Sequence, residues 1–507
     1  MPLQVYSTLA RRKLPFPKQP GDTVTMYVCG PTVYKPSHIG HMVGPVIFDT
    51  VKRYLTYLGY KVKWVVNITD VDDKLIVRAK ELGTTVPALA AKMTEDYFDC
   101  LKKLNVSGID AFPRATEHIP GMIAMMQTLI DKGYAYAAGG DVYFDVSKDA
   151  DYGKLCNRDP EQLEAGSRIE VSDKKRNPGD FALWKGAKPG EPPEVQYDSP
   201  WGKGRPGWHI ECSCMARSLL GDTIDIHGGG LDLQFPHHEN ELAQSECANG
   251  VEFAKVWMHN GLLKMGSAKM AGSVGNVVNI ADLLQRHSAE TVRFLLLSTH
   301  YRSPIEYSEE RLEEVKRSLE GFYRFFERFE RITGQSFYAV QAMLGPNDPV
   351  LLSSSLKEQV SPLRARFLEV MNDDFNTGAA VGVLFELLAA LNRFADVEQL
   401  EVDRRALMKE EFVAGVAVLR ELSNILGLFW EPPAKATLGG DSELTAGLMQ
   451  LLIDLRNNLR ATAKGITDKA DPTKKSLFDQ TDLIRKRLAD LGVTLEDRPG
   501  GTTWRVG

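Results

Sequence analysis

The sequence predicts an α/β protein: a doubly wound sheet broken by an insertion, then an α-helical bundle, then a small C-terminal domain. Three observations carry the prediction. Residues 24–28 alternate as a strand, a Cys-Gly-Pro turn leads to a Ser-capped helix start at Ser37, and residues 61–68 alternate again. Strand, helix and returning strand make a right-handed crossover, the opening of a parallel sheet that binds ligands beyond its carboxyl edge. Residues 151–204 are rich in Gly, Pro and charge, the texture of an insertion between two halves of such a sheet. Beyond Tyr307, apolar residues recur at helical spacing over residues 309–332, 357–370, 379–395 and 404–428, which makes a bundle.

The elements follow in order. Val43, Val46, Ile47, Val51, Tyr54, Leu55 and Leu58 lie on one helical stripe that Gly59 ends. Asp70, Asp72 and Asp73, at the sheet edge, read as a helix cap and a solvated first turn, with a metal site as the alternative. Residues 75–132 are helical, and residues 134–146 form a hairpin around Gly139-Gly140. Sheet patterning resumes over residues 207–214, and a strand over residues 223–227 runs into Gly228-Gly229-Gly230. Pro236 opens a helix, residues 256–259 are a further strand, and residues 261–276 are a loop. Residues 431–440 read as a linker.

At 507 residues, 43% hydrophobic and 25% charged, the chain has the length for about three domains with a large core. A net charge of −6 excludes a generally basic nucleic-acid coat and leaves room for a local basic face. Residues 456–487 supply one, with nine Lys or Arg against four Asp. Six scattered cysteines do not make a disulfide framework and point to a reducing compartment. Residues 1–16 lack a signal-peptide core and no run is expected to approach a membrane span, so the expectation is a cytoplasmic protein with no membrane contact.

Several residues carry chemistry. His38 and His41 share the first helical turn, where free N–H groups and the dipole attract phosphate, and Gly40 between them lets a ring or ribose pack on backbone. Three glycines after a strand allow close approach of a nucleotide, a weak signal alone. His237 and Glu241, four apart on a helix, can hold one ion, with His238 turned aside. Surface or capping roles account for each of these taken singly.

Together they resemble a family. His38-Ile39-Gly40-His41 is similar to the HIGH signature of class I aminoacyl-tRNA synthetases, and Tyr27-Val28-Cys29-Gly30-Pro31-Thr32-Val33-Tyr34 resembles its cysteinyl version. Gly207-Trp208-His209-Ile210-Glu211-Cys212 and Phe235-Pro236-His237-His238-Glu239-Asn240-Glu241 resemble the zinc-site motifs of cysteinyl-tRNA synthetases. The resemblance extends to residues 371–377 and 496–504. It implies a Rossmann-like doubly wound catalytic domain, one Zn2+ on Cys29, Cys212, His237 and Glu241, and ATP with Mg2+. Catalysis falls to His38, His41 and Lys269, and ATP contacts to His38, Gly40, His41, Gly230, Asp232, Lys269 and Met270. Tyr27, Thr69 and Trp208 wall the amino-acid pocket, and Arg460 and Asp497 touch the anticodon.

The implied reaction joins L-cysteine and ATP as cysteinyl-adenylate and passes cysteine to the 3′ end of tRNA(Cys), the metal selecting the thiol over a serine hydroxyl. A monomer is expected. Two alternatives are a ligase that gives cysteine to an amino sugar and an inactive zinc- and RNA-binding paralogue. The expected domains are residues 1–114 and 205–306 as two catalytic halves, 115–204 as the insertion, 307–430 as a tRNA-contacting bundle, 431–440 as linker, and 441–507 as the anticodon-binding domain. Two stretches depart from the family pattern. Lys269-Met270-Ala271-Gly272-Ser273 stands where Lys-Met-Ser-Lys-Ser is usual, so the second lysine is missing and Lys264 is the expected replacement. Met42-Val43-Gly44-Pro45 stands where a small residue and Arg usually follow the tetrad, with Pro45 expected within the first turns, where a missing N–H is tolerated.

Overall fold

The computed structural model describes residues 2–157, 173–266, 268–269, 277–342, 345–348, 355–402, 406–433, 442–468, 471–498 and 501–506. A hairpin, β1 (Gln4–Ser7) and β2 (Arg12–Pro15), precedes β3 (Thr23–Val28). Helix α1 (Ile39–Tyr57) follows, with β4 (Lys61–Val66) pairing parallel to β3. Its buried side is the predicted stripe, Val43, Val46, Ile47, Val51, Tyr54 and Leu55. His38, not Ser37, is the N-cap residue, and Pro45 sits in the second turn. The expectation for both is corrected: a proline there removes the helical partner of the His41 carbonyl.

Three helices come next, α2 (Asp73–Leu82), α3 (Val86–Lys103) and α4 (Ile119–Asp131). Asp72 caps α2 by accepting the Lys74 N–H at 2.9 Å, and Asp70 accepts from Thr116. Asp73 pairs with Lys185 and Arg205 of the inserted segment. Burial opposes its ionisation, but those two cations hold the carboxyl at about 2. Of the three acids only Asp72 is the expected cap; Asp70 is buried against Thr116 and Asp73 is ion-paired rather than merely solvated.

The insertion is a separate antiparallel sheet of β5 (Ala135–Ala138), β6 (Asp141–Phe144), β7 (Phe181–Gly186) and β8 (Gly204–Pro206). Residues 207–214, expected as sheet, instead begin helix α5 (Trp208–Leu220). Ile210 through Ala216 are buried without a break, so the helix shows no 3.6-residue stripe and its alternating apolar residues imitate a strand.

The main sheet is completed by β9 (Ile224–Gly230) and, after α6 (Glu239–Asn249), by β10 (Ala254–Asn260). Its order is β10-β9-β3-β4, all parallel, with Tyr27 registered between His227 and Val65. The three glycines are the end of β9 itself rather than a turn after it. A methyl on Gly228 would lie 2.2 Å from the Phe48 ring of α1, so only glycine lets helix and strand pack this closely. A small sheet of β11 (Leu263–Met265), β12 (Ala268–Lys269) and β13 (Ile305–Glu306) lies around α7 (Ile280–Arg286) and α8 (Ala289–Leu297) in sequence.

The bundle holds α9 (Glu309–Thr333), α10 (Ser355–Asn372), α11 (Thr377–Val397) and α12 (Ala406–Ile425). Against expectation, α11 has the length and apolar character of a membrane span, with a mean hydropathy of 1.4. Leu384, Leu387, Leu391 and Phe394 bury its inner face in the bundle, which explains the composition as that of a core helix. The last unit is α13 (Ser442–Gly465), α14 (Pro472–Asp490) and the hairpin of β14 (Val493–Arg498) and β15 (Gly501–Val506), around a small core of its own.

Candidate functional site

A cleft of about 400 Å3 opens at the carboxyl edge of β3, β9 and β10. Cys29, His38, Gly40, His41, Trp208, Gly230 and Asp232 line it, which brings together seven of the predicted residues from four separate stretches. Each strand delivers its residues by ending there: the Cys29 N–H donates to the Gly228 carbonyl at 3.1 Å.

His38 and His41 stack face to face with ring centroids 3.6 Å apart, and the His38 backbone N–H donates to His41 Nδ1 at 3.4 Å. Burial, then the charge of Lys35, lowers His38 to about 4. Burial, then His38 and Lys35, holds His41 well below the usual imidazole range. Both rings are therefore neutral near pH 7, each carrying one N–H to offer an anion. His38 Nδ1 is buried beside Gly40 with no hydrogen-bond partner among the described residues. Lys35 and Lys74 also line the cleft and were not singled out in the sequence. Lys35 stands three residues before His38 in the phosphate-facing loop, a signal that was there to be read.

Beneath the cleft lie Cys29, Cys212, His237 and Glu241, whose ligand atoms all fall within 4.8 Å of one another. Sγ of Cys29 is 3.7 Å from Sγ of Cys212 and 3.3 Å from Oε1 of Glu241, and His237 Nε2 is 3.0 Å from the same oxygen. Tetrahedral zinc spans edges of about 3.8 Å between two sulfurs and about 3.3 Å between nitrogen and oxygen. The four residues fit such an ion. Burial and the neighbouring Cys212 and Glu241 raise Cys29. Burial also opposes ionisation of Cys212, yet the Cys29 hydrogen bond and His237 bring that thiol down to about 6. Burial works against a charge on His237, but Glu241 and Cys212 push it up to about 10.

His238 is not turned aside. It is fully buried, its Nδ1 is 2.8 Å from His259 Nε2, and with Cys29, His227 and Glu241 it forms a second group close enough for a metal. The two groups share Cys29 and Glu241. His227 Nε2 is 2.8 Å from the other Glu241 oxygen, Oε2, while His259 Nδ1 is 2.7 Å from the Thr8 hydroxyl. His209 Nδ1 is 3.0 Å from His237 Nδ1. These are the contacts that fix ligand orientation around a metal, and isolated histidines spread through the sequence gave no periodic signal for them.

Trp208, which lines the cleft, stacks on His237 of the metal group with centroids 4.1 Å apart. Tyr27 lies wholly buried below; burial, then Cys212, Cys29 and Glu241, raises it far above the usual phenol range. Thr69 donates to Glu211 Oε2 at 2.8 Å, so its hydroxyl faces a buried carboxyl that sequence reasoning passed over. Lys269 lies on β12 directly opposite Lys264 on β11, and Lys264 is not among the cleft-lining residues. Met270 and Gly272 lie outside the described residues. Far along the chain, Arg460 and Asp497 are brought together with Arg456 and Arg485 on one carboxylate. The Arg456 hydrogen bond first, and the other donors after it, hold Asp497 well below the carboxylate range. In this structure its two oxygens are engaged within the protein by Arg456, Arg460, Arg485 and Thr502.

Residues 16–317 match the family model described as tRNA synthetases class I (C) catalytic domain, and residues 366–430 match the DALR domain. Fold and site thus define a class I aminoacyl-tRNA synthetase. A solved Mycobacterium tuberculosis methionyl-tRNA synthetase in complex with methionyl-adenylate shares the fold, with a TM-score of 0.58 at 15% identity over 80% of this chain and 90% of that one. Among curated relatives, cysteine--tRNA ligase of Heliobacterium modesticaldum is 42% identical over 100% of both chains. Those of Pseudomonas fluorescens and Geobacillus thermodenitrificans are each 44% identical over 99% or more of both chains. The chain belongs to the cysteine--tRNA ligase family, and neither alternative function finds support among these relatives.

Proposed function

We propose that this chain activates L-cysteine with ATP to cysteinyl-adenylate and transfers the cysteinyl group to the terminal adenosine of tRNA(Cys). The observation that carries it is the adjacency of the neutral His38–His41 pair, which lines the cleft, to the group of Cys29, Cys212, His237 and Glu241, which meets that cleft through Cys29. Zn2+ is the proposed occupant of that group, where it supplies a soft position that accepts a thiol and discriminates against a hydroxyl. Shape alone separates close isosteres by only about 1–3 kcal/mol, so a pocket without such chemistry would accept serine.

The chain's own residues do the remaining work. Trp208 covers one side of the amino-acid pocket, Tyr27 closes its floor, and Thr69 and Glu211 form a polar wall. His38 and His41, with Gly40 beneath the nucleotide, donate hydrogen bonds to the phosphates of Mg2+-ATP as the cysteine carboxylate attacks the α-phosphorus. Gly230 and Asp232 hold the adenosine side, and Lys269 and Met270 belong to the loop that closes on the triphosphate. The terminal hydroxyl of tRNA then attacks the adenylate carbonyl, and AMP leaves.

On this reading residues 1–114 and 205–306 are the two catalytic halves, 115–204 the insertion, 307–430 the tRNA-contacting bundle, and 441–507 the anticodon-binding unit behind a linker at 431–440. Arg460 is the proposed base contact, and Asp497 positions it. The protein acts as a cytoplasmic monomer. The test is charging of tRNA with labelled cysteine by zinc-loaded protein with serine as competitor. Charging with cysteine and not serine is expected; adenylate without charging points to a different acceptor, and neither activity overturns the proposal.

A further inference from the structure

Resting on the reading of the cleft as an activating site, we infer that Lys35 makes the cationic contact to the departing diphosphate that the segment Lys269-Met270-Ala271-Gly272-Ser273 lacks at its fourth position. In activation a cysteine carboxylate oxygen forms a bond to the α-phosphorus while the bond from that phosphorus to the bridging oxygen breaks. The bridging oxygen keeps the electron pair and leaves with the diphosphate. Negative charge grows on that group, and a fixed cation there stabilises the transition state more than the ground state.

Two lysines line the cleft, Lys35 and Lys74, beside His38 and His41. Their ammonium groups flank one aromatic ring: Lys35 Nζ is 5.3 Å and Lys74 Nζ 5.7 Å from the centroid of Tyr34. Among the described residues neither has a carboxylate within ion-pair distance, and the nearby Asp72 is engaged in capping α2. Like charges gathered on one ring without a counter-ion make a site for a multivalent anion. Lys35 is the half-buried member and Lys74 the exposed one. The field of Lys35 reaches both imidazoles, since its charge is among the causes that lower His38 and His41, and burial and Lys74 lower Lys35 itself. Lys35 thus shares one cleft with the two imidazoles that the proposed function assigns to the phosphates. Lys264, the replacement expected from the sequence, is set beside Lys269 in the hairpin and outside the cleft lining.

The test uses the full zinc-loaded chain with Lys35→Met, which keeps the stem on Tyr34 and removes the charge, Lys35→Arg, which keeps the charge, and Lys264→Met. Cysteine-dependent ATP–diphosphate exchange, single-turnover transfer from preformed adenylate to tRNA, and calorimetric binding of Mg2+-diphosphate are measured for each. Lys35→Met is expected to slow exchange about 10²- to 10³-fold. It should leave the KM for cysteine and the transfer rate unchanged and weaken diphosphate binding at least about tenfold, with Lys35→Arg recovering most of both. Exchange within about threefold of the parent, equal losses in exchange and transfer, or a loss confined to Lys264→Met overturns the assignment. If the parent makes no adenylate, the activation reading fails, and the diphosphate-binding comparison still decides the role of Lys35.

Discussion

Replacing Asp49 by Asn will destabilise the catalytic unit by about 3 kcal/mol, at the lower end of the cost of breaking a buried ion pair. Arg293 on α8 is completely buried, and its guanidinium donates to Asp49 Oδ2 of α1 at 2.6 Å. It also donates to the carbonyls of Leu104 at 2.8 Å, Asn105 at 3.2 Å and Leu426 at 2.9 Å. One side chain therefore ties α1 to the ends of α3 and α12. Removing the Asp49 charge leaves those three carbonyls in place, which is why the lower figure applies. Arg293→Met strands all three as well and is expected to cost more, about 4–5 kcal/mol. The double variant should fall short of the sum by about 1–3 kcal/mol, because the pair can be broken only once. Urea unfolding followed by tryptophan fluorescence, to which the buried Trp64 and Trp257 of the main sheet contribute, reads the loss. A cost below about 1 kcal/mol for Asp49→Asn, or strict additivity in the double variant, would refute the reasoning.

Other outcomes follow from the same physics. Cys212→Ser should lose tightly bound zinc measured by atomic emission, and a chelator should abolish cysteine activation in the parent with recovery on adding zinc; full activity of metal-free protein would remove the metal from the site. Burial first raises Glu290 to about 7 despite its bonds from Tyr323 and the Phe429 N–H. Between about 4.5, the unfolded value, and about 7 the native state keeps a proton the unfolded chain releases, so stability falls as pH rises through that window, by about 3 kcal/mol in all. The difference between parent and Glu290→Gln, measured by denaturation at pH 4.5 and pH 8, should show that slope, and a flat difference would contradict it. Gly228→Ala places a methyl 2.2 Å from the Phe48 ring and should cost at least about 1–3 kcal/mol in thermal or urea unfolding.

Much of this was legible from residue spacing. The crossover of β3, α1 and β4 shows as alternation, then a 3.6-residue stripe, then alternation, because each element there has one buried and one wetter side. The bundle helices show for the same reason. Helix α5 did not, since a helix enclosed on all sides has no stripe, and its Ile210, Cys212 and Cys214 look like one face of a strand. The metal group was found by likeness to family motifs, not by spacing: its four members come from the end of β3, α5 and the start of α6, and three-dimensional closeness across such gaps leaves no period. The histidines behind it, His227 and His259, were missed and His238 was set aside for that reason, and Arg456 and Arg485, which share Asp497 with Arg460, went unseen because an internal network leaves no spacing in the sequence.

The C-terminal unit is held by a core of Met449, Ile453, Leu488, Val493 and Leu495, while the rest of the buried apolar residues form two clusters elsewhere in the chain. Opening that small core exposes little surface, so its amides should exchange with solvent by sub-global excursions long before those of β3 and β9 do. A protease that samples the open form would then trim the chain from this end first. The shortened protein should still make the adenylate while its efficiency on tRNA falls, so the stability hierarchy of the fold separates, on a gel, the two halves of the reaction.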